Sequence, residues 1–495
     1  MNFEEYRKHD AIALAELIKK KEVTASELLD IAIKRTEEVN PKINAVVTPC
    51  YDVAKEQQKS VDANSVFAGV PYLMKDLGPE LKGVRHTMGT RFMKDYIPKE
   101  DSVVTQRVKK AGLVIFGKTN TPEFGLTPFT ESELLKPAHN PWNTEHTTGG
   151  SSGGSGAAVA AGIVPIASAN DGGGSIRIPA SCNGLFGMKP SRGRVTLGLQ
   201  SGELWGGAVC EGSVSRSVRD SAYYLDVIQG SAPGEPYSIQ TPEKPYSEEI
   251  KTQPGKLKIA FSLEHPMGIK QDEENIAAIN NTVKLLKSLG HEVEEIPLPY
   301  KKELLTHILY MTVLGETSAT IDYLGERNNK KPTIKDFEPN TWLLYKLGKS
   351  FSAGDFALAK LKWNETTRAM GQFGLKYDAL LTPTLGMKPF KIGALQNSKA
   401  EDIALRTLNA LGNTSVIKNA GIIEKTATKI FSWIPYAPLA NITGQPSMTV
   451  PLHWSKDNLP VGTMFTGRLN DEATLFQLAA QLEKAQPWFD KVPTI

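Results

Sequence analysis

Residues 149–187 hold eleven glycines and six serines but only two charged residues, Asp171 and Arg177. With 22% charged residues in the whole chain, a span of this length would carry about eight or nine. Flexible Gly/Ser linkers are hydrated, whereas AAVAAGIVPIASA, lying between these glycines, is apolar. A linker is therefore excluded. The same glycines speak against a helix, since each is unfavourable in a helix interior by about 1 kcal/mol relative to alanine. The composition instead predicts two serine-bearing loops joined by a buried segment.

Two familiar uses of such loops can be weighed on the residues alone. Gly149 and Gly154 have the spacing of a phosphate-binding loop, but Ser155-Gly156 follow where Lys-Ser/Thr is required. Without that lysine the terminal phosphates lose their main charge partner, so the loop is not of this kind. Gly149-Gly150-Ser151-Ser152-Gly153 also satisfies G-x-S-x-G, the nucleophile turn of α/β-hydrolases. That turn follows a buried strand, while NTEHTT here is polar. His265, His291, His307 and His453 lie downstream, none in a recognisable motif. A serine esterase of the α/β-hydrolase type stays as an alternative.

The rest of the chain alternates short apolar runs with helical patterns. Strands are expected at 43–47, 69–76, 112–120, 163–170, 256–262, 291–299, 377–384, 447–452 and 462–467. Between them, Thr24-Ala25-Ser26-Glu27 forms a capping box for a helix ending before Asn40-Pro41. Residues 103–111, 271–290 and 471–485 are amphipathic at helical spacing, and 301–375 looks mainly helical. This order predicts an α/β fold with a large mixed, mostly parallel β-sheet flanked by helices. The proline-rich stretch 231–256 reads as a surface crossover, and no clean boundary divides the chain. One domain, 1–495, is expected, with a catalytic core at 65–230 and a variable, mainly helical region at 300–440.

Bulk properties narrow the partners. The formal net charge is +3, from 57 basic and 54 acidic residues, which offers no electrostatic footprint for nucleic acid or acidic lipid. Three widely spaced cysteines form no disulfide framework and no metal-binding cluster with histidine. The charged N-terminus lacks the apolar core of a signal peptide, and no long apolar run suggests a membrane span. A cytoplasmic protein is expected, acting on a small molecule, without metal or cofactor. A homodimer is left open.

The stretch from Gly149 through Ser175 to Pro179 resembles the signature of the amidase signature family along its whole length, from GGSSGGS to GGSIRIP. GVPYLMKD around Lys75, GKTNTPEF at 117–124, NPWN at 140–143 and the late QPSMTVPL are similar as well. The resemblance implies an amidase hydrolysing a carbon–nitrogen amide bond, with Ser175 as nucleophile, Ser151 as relay and Lys75 as base. It also implies a cis peptide between Gly150 and Ser151. Leu77 after Lys75-Asp76, and Asn170-Asp171-Gly172, depart from the commonest pattern and resemble the nylon-oligomer amidase branch.

Each implied role has a physical requirement. Lys75 must lose its proton to burial, because an exposed lysine titrates near ~10.4. Asp76 would oppose this if it faced the ammonium, so it is expected to point away. The three glycines before Ser175 allow consecutive N–H groups to converge, which predicts an oxyanion hole from Gly172, Gly173, Gly174 and the Ser175 N–H. Ser152, Asp171 and Arg177 are expected to support the loop. By register with the family, Gly125 and Thr127 should face the substrate, while Asn120 and Glu123 should be structural. Ser415-Val-Ile-Lys418 matches S-x-x-K by chance. A glutamine-dependent amidotransferase subunit is the family's own alternative to a stand-alone amidase of small or linear amides.

Overall fold

The structure, a computed structural model, describes residues 1–198, 201–411 and 422–495. The Ser415–Lys418 motif lies outside them. Eleven strands form one sheet: β1 (Val46–Pro49), β2 (Pro71–Lys75), β3 (Val114–Thr119), β4 (Ile166–Asp171), β5 (Phe186–Lys189), β6 (Cys210–Ser215), β7 (Lys258–Phe261), β8 (Glu292–Glu295), β9 (Ala379–Pro383), β10 (Ser447–Trp454) and β11 (Pro460–Gly467). Their spatial order is β1-β3-β2-β4-β6-β5-β10-β11-β9-β7-β8.

The sheet is mixed, as expected, but parallel pairing is confined to two places. β2 pairs in parallel with β3 and β4, and β7 with β8 and β9. The remaining neighbours are antiparallel. Connection length accounts for some of these pairings. The helices Val103–Lys110 and Glu273–Ser288 cross over between β2 and β3 and between β7 and β8, which permits parallel strands. Only residues 455–459 join β10 to β11, and so short a link leaves only a hairpin. β5 and β6 are the strands the sequence does not announce: FGMK is short, and CEGSVS is too small and polar to show as a strand.

Side chains alternate across the sheet. On β2, Tyr72 and Met74 enter one core with Ile115 and Phe186, while Leu73 enters the other with Val114, Phe116 and Ala167. That second core also takes the helix Gly153–Ala160, which corrects the expectation of a non-helical GGSGAAVA. All eight of its residues are buried. A Cβ on Gly154 would come 2.2 Å from the backbone nitrogen of Asn120, and one on Gly156 2.6 Å from Asn183 Nδ2. The glycines let this helix press against its neighbours, and that packing offsets their poor propensity. Ser155 Oγ, hydrogen-bonded to Ser168 O and paired with Thr119 Oγ1, both at 2.7 Å, ties the helix to β4 and β3.

A second short helix, Arg177–Asn183, follows Ser175. The early helix also runs further than its proline suggests, over Ala25–Ile43, and stops at Asn44 in the left-handed conformation (φ 47°). The 301–375 region is helical as expected, with helices Lys302–Arg327, Pro339–Gly348 and Ala353–Gly374. Among the described residues no helix is long and apolar enough to cross a membrane. Cys50, Cys182 and Cys210 are buried and unpaired.

Candidate active site

Lys75 ends β2, where the strand leaves the sheet, and the lysine is fully buried. Its Nζ lies 2.7 Å from Ser151 Oγ and 2.6 Å from Asn170 Oδ1. Its backbone N–H donates to Ser168 Oγ at 2.7 Å, fixing the strand end against β4. Burial brings the Lys75 ammonium from 10.5 down to about 7, against the pull of the Glu211 and Asp171 carboxylates. A lysine in this state exchanges its proton near neutral pH.

Asp76 points away from Lys75, as expected. Its carboxylate accepts from the Thr87 N–H at 3.2 Å and from Thr87 Oγ1 at 2.5 Å. Lys118 and Arg85 supply the positive charge around it.

Ser151 follows Gly150 through a cis peptide bond, as the family resemblance implies. Ser151, Ser175, Gly172 and Gly173 line one cavity of about 330 Å³, together with Gly125 and Thr127. Ser175 is slightly more open to it than Ser151, at 9% against 2% exposure. Ser152 is excluded from solvent and donates to the Asn170 carbonyl at 3.4 Å.

The loop between β4 and Ser175 is wound around Asp171. The Asp171 carboxylate accepts from the N–H groups of Gly174 at 2.7 Å and Ile176 at 3.1 Å. Arg177 grips it through two bonds of 3.0 Å, and both side chains are fully buried. Burial alone would raise the Asp171 carboxyl, but the charge and hydrogen bonds of Arg177 outweigh it and hold the carboxyl at about 2. The pair therefore stays ionic and braces the loop. This also corrects one expected donor. The Gly174 N–H is taken by Asp171, leaving Gly172, Gly173 and Ser175 without an acceptor among the described residues.

Residues that the sequence did not single out complete the site. Asn441 donates to the Asp171 carbonyl and carboxylate at 2.9 and 2.8 Å and accepts from Arg177 at 2.7 Å. It is 270 residues from Asp171, and nothing local marks it. Glu211, on β6, lines the cavity behind Asn170. Its one signal is an acidic residue among small ones in CEGSVS. Asn120 is structural, donating to the carbonyls of Asn44 and Lys136 at 3.0 Å. Glu123 accepts from the Glu338 N–H at 2.8 Å but also borders the cavity, and burial pushes its carboxyl up to about 7.

Part of the cavity lining is aliphatic, beside the acidic side chains of Glu131, Glu133, Glu338 and Asp402. Leu309, Val313, Leu344 and Leu347 come from the helices after residue 300, and Ile434 from the segment before β10. No histidine lines it among the described residues. His265, His291 and His453 are instead bonded to Ser432 O, Gln481 and Glu274, so the α/β-hydrolase triad has no histidine at either cavity serine.

Comparison with known proteins agrees with this architecture. The family model described as Amidase matches residues 27–476. The chain is 34% identical to 6-aminohexanoate-cyclic-dimer hydrolase of Pseudomonas sp. (strain NK87), over 98% of this chain and 96% of that protein. It is 33% identical to a lipoamidase of Enterococcus faecalis, over 97% of this chain and 63% of that longer protein. A solved structure of 6-aminohexanoate cyclic dimer hydrolase complexed with substrate superposes with a TM-score of 0.89 at 33% identity, covering 98% of both chains. With sequence and fold matching nearly from end to end, the chain belongs to the amidase signature family, hydrolases of non-peptide amide carbon–nitrogen bonds.

Proposed function

We propose that this amidase works through an acyl-enzyme on Ser175, with Ser151 as the proton relay and Lys75 as the base. The observation that carries this reading is the 2.7 Å approach of Lys75 Nζ to Ser151 Oγ in a water-poor site that shares its cavity with Ser175. Neutral Lys75 takes the Ser151 proton as Ser151 takes that of Ser175. The Ser175 oxygen then attacks the amide carbonyl, and the tetrahedral oxyanion is met by the N–H groups of Gly172, Gly173 and Ser175. One such donor supplies about 3–4 kcal/mol of transition-state stabilisation. The proton returns along the same path to the departing amine, and water, activated in turn by the relay, clears the ester.

A small or linear amide with an apolar body suits the pocket: a cavity of about 330 Å³ whose lining joins aliphatic side chains to Ser151, Ser175, Gly172 and Gly173. The names of the relatives, a hydrolase of a 6-aminohexanoate cyclic dimer and a lipoamidase, support the same class. The 65–230 region is read as the catalytic core, and 300–440 as the region that shapes selectivity. The test is a panel of 6-aminohexanoate oligomers, aryl amides, lipoamide and glutamine, assayed for amine or ammonia release with wild type and Ser175→Ala. Release that survives in Ser175→Ala overturns the nucleophile. Turnover confined to glutamine overturns the substrate class.

A further inference from the structure

Asn170 on β4 stands directly opposite Glu211 on β6 in the antiparallel register. The Asn170 amide bridges two groups: Oδ1 accepts from Lys75 Nζ at 2.6 Å, while Nδ2 donates to Leu77 O at 2.9 Å and to Glu211 Oε1 at 3.4 Å. An amide oxygen has no proton to give, so Lys75 must donate on this side. With one N–H of the neutral amine committed there, its lone pair is left for the Ser151 hydroxyl. Gly78 makes room for the bridge, since a Cβ there would lie 2.4 Å from Asn170 Nδ2 and 2.7 Å from Glu211 Oε1. Glu211 is 5% exposed and forms no ion pair with a lysine or arginine among the described residues.

We propose that Glu211 is a positioning residue: through the Asn170 amide it orients Lys75 Nζ toward Ser151, and its carboxylate offsets the loss of water around that nitrogen. The proposal rests on Lys75 being the base of the reaction above. Burial lowers the proton affinity of Lys75 and raises that of Glu211, and each opposes the shift of the other. Asp171 also faces Lys75 and acts in the same sense as Glu211. Lys118 faces Glu211 from β3 and favours its charged form. The buried phenols of Tyr72 and Tyr224, near Glu211, are held neutral. Burial lifts the Glu211 carboxyl to about 8, while the Lys75 ammonium and Lys118 favour its charged form. Where the carboxylate is present, removing it leaves a lysine that is easier to deprotonate but a weaker base, and general-base catalysis loses driving force.

A fluorophosphonate probe tests this without a known substrate. Ser175 Oγ forms a bond to phosphorus, fluoride leaves, and the serine proton passes through Ser151 to Lys75. The labelling rate, read by intact mass between pH 5 and 9 and mapped to Ser175 by digestion, reports the base. Glu211→Gln keeps the shape and an acceptor for Asn170, so a purely structural role would leave the profile unchanged. Its midpoint is expected about one pH unit below wild type, with a plateau rate at least about threefold lower. An unmoved midpoint overturns the proposal. Should Glu211→Gln not fold, Glu211→Asp carries the test. Its carboxylate sits one methylene back, so a smaller shift in the same direction supports the proposal and no shift overturns it. Failure of the underlying reading is seen without touching residue 211. If Lys75→Ala is labelled like wild type, or Ser175 is never labelled, the base assignment falls and takes this proposal with it.

Discussion

Seventy-six residues separate Lys75 from Ser151 in the chain, yet Lys75 Nζ and Ser151 Oγ are 2.7 Å apart. The lysine ends one strand and the serine precedes the helix that packs across the same face. Neither group gains its reactivity locally. Burial lowers the proton affinity of the lysine, which suits it to the base role proposed above, with Ser151 as its relay.

Substitution of the three reactive residues should separate their roles. Ser175→Ala is expected to lower amidase turnover by at least about 10⁴-fold while leaving the thermal midpoint near that of wild type. Lys75→Ala should be similarly severe. Ser152→Ala, whose hydroxyl reaches only the Asn170 carbonyl, at 3.4 Å, among the described residues, should be much milder than Ser151→Ala. Equal losses at 151 and 152 in steady-state assays would remove Ser151 from the relay.

The pH profile should carry the lysine. With Lys75 brought down to about 7, its competent neutral form grows as pH rises. Below that value kcat/KM should fall about tenfold per pH unit, and above it should level off. A profile that stays flat from pH 5 to 8 would rule out a titrating base in the site.

Loop geometry should depend on the buried ion pair. Arg177→Met leaves the Asp171 carboxylate uncompensated and is expected to cost about 3–5 kcal/mol of stability by urea unfolding. The same carboxyl is held at about 2, below its ordinary 3.8. Its contribution, about 2 kcal/mol, is present above pH ~4 and lost as pH falls toward 2. Asp171→Asn should therefore be less stable at pH 7 and show a shallower fall in acid. An unchanged acid limb would contradict this.

Gly125 should tolerate no side chain. Its φ is +68°, and a Cβ would lie 2.7 Å from Leu77 Cδ2 and 3.0 Å from Ser151 Oγ. Gly125→Ala is expected to cost only about 1–2 kcal/mol of stability but to reduce kcat by tenfold or more, because the methyl presses on the relay. Wild-type kcat in this variant would show that the wall is not in contact with the reaction.

Much of this site could be read in advance because its residues announce themselves by contrast. Two charges in a span rich in glycine and serine mark Asp171 and Arg177, whereas Lys75 stood out only through the resemblance to the amidase signature family, since a lysine closing an apolar strand is commonplace. Nine of the eleven strands also overlap segments expected to be strands. β5 and β6 did not, because strands buried between neighbours need no strong pattern of their own. The helix Gly153–Ala160 was hidden for the opposite reason: local propensity forbids it, and only the approach of Asn120 and Asn183 rewards it.

The sequence alone settled the class of fold and, through its signature motifs, the family. Tertiary structure alone decided that the sheet is antiparallel through its middle, that Gly174 gives its N–H to Asp171, and that Asn441 and Glu211 belong to the site. These depend on distances between segments up to 270 residues apart. Desolvation and hydrogen bonding act through space, so the proton affinity of Lys75 falls only once the chain has closed around it.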